Sequence, residues 1–189
     1  MAPSTVLPDT FARAVEQLLA VEPRPEIVLE TLSPPQRLAP YAHALGGIVA
    51  RDGEEVATGR LVLLYDPAGQ EAWDGTMRLV TYVTAEIEAE LASDPLLATV
   101  GWSWLTDALD GLGAGYTAIA GTVTQTMSTR FGDLAGPPAA ADLEIRASWT
   151  PIGGDLSAHL GAWCALLAST AGLPPPGTTA LTRLGPGSS

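Results

Sequence analysis

The stretch YAHALGGIVARDGEEVATGRLVLLY, residues 41 to 65, narrows the possible folds more than any other part of the chain. Two long strand-like runs, Tyr41 to Arg51 and Glu54 to Tyr65, flank Asp52-Gly53. That pair tolerates positive φ at both central positions of a two-residue hairpin turn, so the two runs are expected to fold back on each other. The second arm ends in LVLLY, apolar at every position, as expected of a strand covered on both faces. A loop, DPAGQEAWDG over 66 to 75, then leads into MRLVTYVTAE, where Met77, Leu79, Thr81 and Val83 alternate with Arg78, Val80, Tyr82 and Thr84. This third run pairs back on its neighbour and makes a meander.

The other elements attach to that meander. Pro8-Asp9-Thr10 offers a helix start before Phe11, Ala14, Val15, Leu18 and Leu19, which recur as one stripe until Pro23 and Pro25 stop the helix. EIVLETL, 26 to 32, reads as a short strand ended by SPPQRLAP. Asp94 caps a second helix with Pro95 at its first position. Its apolar arc, Leu97, Val100, Gly101, Trp104, Leu105, Ala108 and Leu112, puts Trp104 in the core and leaves Trp102 off the arc, on an edge with Ala98 and Leu109. Tyr116 to Ser128 is a Thr-rich strand, and Leu143, Ile145, Ala147 and Trp149 alternate with polar residues in another. Asp155 caps a last helix carrying Leu156, Leu160, Trp163, Cys164 and Leu167, closed by Gly172 and Pro174. The order α-β-β-β-β-α-β-β-α predicts a single α+β domain over 9–173, an antiparallel sheet of five to six strands with helices packed on it. Residues 1–8 are expected to form a loose lead, and the Pro/Gly/Ser-rich residues 174–189 a tail that does not fold.

Composition excludes several partners. The net charge is −12, and the nine basic residues are all Arg and scattered, so a phosphate backbone would be repelled and no direct nucleic-acid binding is expected. One cysteine, Cys164, rules out an intrachain disulfide and a multi-cysteine metal site. No apolar run is long enough to cross a membrane, so the protein is expected to be cytoplasmic. Charged residues make up only 16%, against about 25% in an average soluble protein, which favours association.

Two groups of residues are candidates for function. Trp73, on the loop, and a patch of Trp102, Leu105 and Leu109 are expected to be interface residues, the patch meeting its copy across a two-fold axis in a homodimer. Tyr41, His43, Arg60, Tyr82 and Arg146 are expected to line a pocket between sheet and helices, where an arginine could hold a carboxylate or phosphate. No catalytic set emerges: His43 has Glu54 or Glu55 as its only conceivable orienting carboxylate and no nucleophile, and His159 and Cys164 are spaced to point apart. Asp66, Glu71 and Asp74 lack the register of a calcium loop and read as turn formers, so no metal is expected. Gly111, Gly113, Gly115 and Gly121 follow a helix rather than precede one, which rules out a phosphate loop, and no cofactor is expected.

The strings RPEIVLETLSPPQRLAPYAHAL, ATGRLVLLYDPAGQEAWDGTMRLVTYV, DPLLATVGWSWLTDAL, LEIRASWTP and AHLGAWCALLASTAGLPP carry a resemblance. From Phe11 to Leu173 the sequence resembles the actinobacterial domain-of-unknown-function family numbered three thousand. The resemblance implies no activity and no catalytic residue. Genes of that family often lie beside those for a ribonuclease D and a haem-biosynthesis enzyme, which implies an accessory role to an RNA-processing nuclease as one reading. The element order is also similar to type III secretion chaperone-like folds, which are small, acidic and dimeric and hold other polypeptides; the strand at 26 to 32 departs from that pattern. The leading expectation is a non-enzymatic homodimeric interaction protein, an adaptor or chaperone for another polypeptide. The alternative is a small-ligand binder or enzyme with a pocket between sheet and helices.

Overall fold

Asp52 and Gly53 take φ of 55° and 84°, the left-handed pair that a tight hairpin turn with the strands' own twist requires. The computed structural model that shows this describes residues 7–136 and 140–177. The turn joins β2 (Tyr41–Arg51) to β3 (Glu54–Gln70); β1 (Ile27–Leu32) precedes them and β4 (Gly75–Ile87) follows. Two short segments of helix, α2 (Ala89–Ala92) and the longer α3 (Leu97–Gly111), then lead to β5 (Tyr116–Ser128) and β6 (Ala140–Pro151). The helix α1 (Asp9–Leu19) opens the domain and α4 (Ser157–Thr170) closes its regular structure. All pairs are antiparallel in one six-stranded sheet of order β1-β2-β3-β4-β6-β5. The chain is thus an α+β single domain of the expected kind, with β5 and β6 exchanged in place relative to their order in sequence.

The helices cover one face of the sheet. That face presents Leu45, Val49, Leu61, Leu63, Leu79, Val83, Leu143, Ile145 and Trp149, all but excluded from solvent. At about 25 cal/mol per Å² of apolar surface, burying this many large side chains is the main term that holds the domain together. Helix α4 sits at the centre of the layer. Its sequence shows one apolar arc, yet His159, Leu160, Ala162, Trp163, Cys164, Leu166, Leu167, Ala168 and Thr170 are all buried, because α3 covers a second side of it. Register partners Gly47 and Gly59 let α4 approach: a Cβ on either would stand 2.7 Å from Leu167 and within 3.1 Å of Trp163. The Trp163 Nε1 donates to Thr81 Oγ1 at 2.7 Å, which fixes the ring against β4.

Four local expectations need correction. The segment 66–75 is not a free loop: β3 continues to Gln70, which pairs with Gly75, and only Glu71–Trp73, a single 3-10 turn, closes the end. Helix α2 lacks a sequence signal because its one turn is too short to show a period. The buried arc of α3 runs through Leu97, Gly101, Leu105 and Leu109, not through Trp104. Val100 and Leu112, counted as core, are exposed, and Trp104 is half-buried. The expected caps are displaced: Leu96 and Leu156 hold the cap positions without a side-chain bond, while Asp94 Oδ1 accepts from Leu96 N–H at 2.8 Å and Asp155 Oδ1 from Ser157 N–H at 2.9 Å in the turns that lead into the helices. Most of the expected lead and tail lies outside the described residues. The start of the tail is tied down, with Arg24 Nη1 donating to the Pro174 carbonyl at 2.9 Å.

Candidate functional site

The interface candidates do not form a surface patch. Leu105 and Leu109 are fully buried, because they lie on the side of α3 that faces α4 and the sheet. Trp73 is 9% exposed and packs with Ala44, Val62 and Leu64 on the face of the sheet that carries no helix. It is a cover for β3, and it explains why LVLLY is apolar throughout: Leu61, Leu63 and Tyr65 meet the helices while Val62 and Leu64 meet Trp73. Trp102 is half-buried, and its ring lies against Gly121 of β5, where a Cβ would come within 2.5 Å of it. The domain's own edge strand covers the ring.

The pocket candidates divide between the two faces. Tyr41 lies on the helix side in a trio with Phe11 and Tyr65, ring centroids 5.9 to 6.0 Å apart. His43, opposite Leu63, shares that side; its Nε2 is buried without a hydrogen-bond partner, and burial holds its pKa below the ordinary value. Glu54 and Glu55 pair with Arg51 and Ala50 at the far end of the hairpin, so neither orients His43. His159 is 1% exposed rather than on a flank; its Nδ1 accepts from Trp149 Nε1 at 3.1 Å, and burial pushes its pKa down to about 4. Burial also raises the Cys164 thiol to about 12, which makes it a poor nucleophile.

Arg60, Tyr82 and Arg146 do meet, on the open face. The register sets Arg60 opposite Tyr82 and Tyr82 opposite Arg146, one row across three strands. Period-2 alternation makes this inevitable once the strands pair in this register. The Arg146 guanidinium lies 5.1 Å from the Tyr82 ring centroid, and its Nε donates to Glu144 Oε1 at 2.6 Å. Glu144 also accepts from the Tyr82 hydroxyl at 3.1 Å, and the Arg146 bond keeps the Glu144 carboxyl acidic. Arg60 Nη2 donates to the Ser33 carbonyl at 2.7 Å and has no ion-pair partner among the described residues.

The neighbouring row supplies the floor. Val62, Val80, Ser148 and Ala120 lie side by side in register, and with Arg60, Tyr82, Arg146 and Thr122 they line a groove of about 570 Å³. Beyond that floor stands Arg78, in the row of Leu64 and next to Val80's row on the same face. Arg78 is 7% exposed and meets only neutral groups. Its Nη1 donates to the Ala118 carbonyl at 2.7 Å and to Thr150 Oγ1 at 3.1 Å, and its Nη2 to Ser148 Oγ at 2.8 Å. Thr150 in turn donates to the Trp73 carbonyl. Burial lowers the Arg78 pKa, and no carboxylate pairs with it among the described residues. A buried cation with no anion is costly, so its retention needs a reason.

Arg78 is not among the residues expected from the sequence to line a pocket, although it lies on the same strand as Tyr82. The signal that could have found it is Val80, two residues on, together with LVLLY: an apolar run on both faces means that this face is partly covered too. A second depression of about 520 Å³ lies at the sheet end between α1 and the loop after β6, with Arg13, Gln17 and Asp74 on its walls. Asp74 there accepts from Thr117 at 3.2 Å, and no buried charge faces it.

A family model described as Protein of unknown function (DUF3000) matches residues 7–179. The chain belongs to that family. No curated protein and no solved structure matches it, so the likeness to secretion chaperones rests on element order alone. Among the described residues no helix is long and apolar enough to cross a membrane, and no group of His, Cys, Asp and Glu is placed to hold a metal ion.

Proposed function

We propose that the protein is a non-enzymatic binding protein that holds an apolar ligand with an anionic head on the open face of its sheet. One observation carries this reading: Arg78 is buried one row beyond the Val62–Val80–Ser148–Ala120 floor, outside the groove's own lining, and among the described residues no carboxylate pairs with it, in a chain with 21 acidic residues. Evolution had acids to spare and set none against it, which is what a site that receives its anion from outside requires. Arg60 at the other end of the floor is likewise unpaired, and the arginine fork suits carboxylate or phosphate. Val62, Val80 and Ala120 supply the contact for an aliphatic or aromatic body. The adaptor reading drew on exposed aromatic anchors. With Trp73, Leu105 and Leu109 buried, the groove has the stronger support.

The test is thermal unfolding with decanoate and an aryl carboxylate against the matching alcohols. A ligand that binds only the folded state raises its melting temperature. The carboxylates are expected to raise it and the alcohols not, and Arg60→Glu is expected to abolish the rise. Equal responses to acids and alcohols, or none to either, would remove the proposal.

A further inference from the structure

Among the described residues, strand β5 ends the sheet with no strand paired to its outer side. Exposed strand edges invite pairing with other chains, and proteins blunt them with charge, proline, a bulge or shortness. The opposite edge, β1, uses these devices: it has six residues, carries Glu30, and lies between Pro25 and Pro34. By contrast β5 has 13 residues, YTAIAGTVTQTMS, with no charged residue and no proline. Its single irregularity is the bulge between Thr117 and Ala120, where Ala118 takes φ of 50°. From Ala120 to Ser128 the strand is regular and pairs with β6 residue by residue. Its open-face side chains Thr122, Thr124 and Thr126 are exposed, and its other flank is closed by the Trp102 ring against Gly121.

We infer that this edge is where a second copy of the chain docks, β5 against β5 in antiparallel register, so that the two sheets run on as one. The partner is a second copy because of charge. In a chain of net −12, most surfaces repel their own copies, and this strand alone among the long ones carries no charge. Along the regular stretch from Ala120 to Ser128 the acids across the ladder, Asp142 and Glu144, sit one strand inward on β6, while Asp74 and Asp110 stand at Thr117 and Tyr116, before the bulge. Across the junction Asp142 and Glu144 would each stand about three strand spacings, roughly 14 Å, from its mate, beyond the Debye length of about 8 Å at physiological salt. Antiparallel pairing about a two-fold axis also sets threonine opposite threonine, a favourable cross-strand combination. For antiparallel strands that axis is perpendicular to the sheet, so both open faces lie on one side. Ala120 and Thr122, which wall the groove on its β5 side, then abut the partner's strand, and the two grooves become neighbours.

The deciding experiment is sedimentation velocity of the full chain over a wide concentration range, beside a variant with Thr122→Glu, Thr124→Glu and Thr126→Glu. These side chains are exposed on the helix-free face, so the fold, checked by circular dichroism, is expected to persist. The wild type is expected to be a dimer and the triple variant to dissociate at least about tenfold more readily, because like charges would then face each other across the junction. In addition, amide exchange in β5 should slow as concentration rises in the wild type only. A wild-type monomer at every concentration would overturn the inference, as would a dimer that the folded triple variant leaves intact. Thr122 walls the groove, so the triple variant is read for assembly alone; ligand binding is tested separately through Arg60 and Arg78, on β3 and β4.

Discussion

On its helix side the sheet offers Leu61, Leu63, Leu79, Val83, Ile145 and Trp149 to α3 and α4, while on its open side the same strands offer Arg60, Val62, Arg78, Val80, Tyr82 and Arg146. Both sets follow the same alternation, and both contain fully buried members. They differ in what the buried groups do. Every buried polar group of the helix side except the two histidine nitrogens finds a neutral partner, and the layer is explained by burial of apolar area alone. On the open side a buried cation is met by two hydroxyls and a carbonyl. For stability the desolvation cost of Arg78 and its three hydrogen bonds work against each other, so the charge brings no clear gain to the fold. One face is therefore accounted for by folding alone, and the other is the face on which the proposed ligand site lies.

The largest effect should come from breaking the helix side at its closest approach. Gly59→Val would put side-chain atoms where Trp163 and Leu167 already are. Trp163→Ala would leave a cavity and remove the donor to Thr81 Oγ1, which keeps its own bond to the Arg60 carbonyl. Each is expected to cost about 3–5 kcal/mol, enough to unfold a marginal domain. Urea titration checks this, and a loss below about 1 kcal/mol would show that α4 is not the clamp it looks to be.

Next in size is a pH effect on the same face. The folded pKa of His159 is pushed down to about 4 from 6.5, so its protonation favours the unfolded chain. The contribution is whole above pH 6.5 and is lost as pH falls toward 4, with a ceiling of about 3 kcal/mol. His43, also lowered by burial, adds in the same direction. His159→Phe is expected to flatten the fall in melting temperature between pH 7 and 5; an unchanged slope would assign that fall to other groups.

Arg78 gives a smaller effect that separates the faces directly. Arg78→Met keeps most of the volume and removes the charge. It is expected to change stability by no more than about 2 kcal/mol, as lost hydrogen bonds and relieved desolvation oppose each other. The response to carboxylates should vanish entirely. A variant that unfolds outright would make Arg78 a structural residue.

How much of this was legible follows the same division. The hairpin and the alternation of β6 are local signals, and both appear in the structure; Asp94 and Asp155 mark the turns before the helices, with the caps themselves one or two residues on. The error on α3 was one of phase. Seven apolar residues in 16 define an arc too broad to say which edge is deepest, and packing against α4 and β5 chose the Leu105 edge. The groove needed strand order, which no single sequence contains. Tyr82 and Arg146 are 64 residues apart and become neighbours only because β6, not β5, lies beside β4. The same exchange leaves β5 at the edge and gives Trp102 its cover.

The smallest effect is expected at Arg146. Its side chain is 64% exposed, and its pair with Glu144 sits in solvent, where ion pairs add little to stability. Arg146→Ala should therefore leave the urea midpoint unchanged. Binding is a different matter, because Arg146 also rests on Tyr82 and neutralises Glu144 through a 2.6 Å bond. With Arg146 gone, Glu144 keeps only its bond from the Tyr82 hydroxyl, and an unneutralised carboxylate beside the groove repels an anionic ligand. The expected outcome is a loss of carboxylate affinity with no loss of stability, read by calorimetry on the folded variant. Glu144→Gln in the same background should restore part of it. If Arg146→Ala binds as the wild type does, Arg146 and Tyr82 are only a solvated edge, and the ligand's anion is left to Arg60 and Arg78.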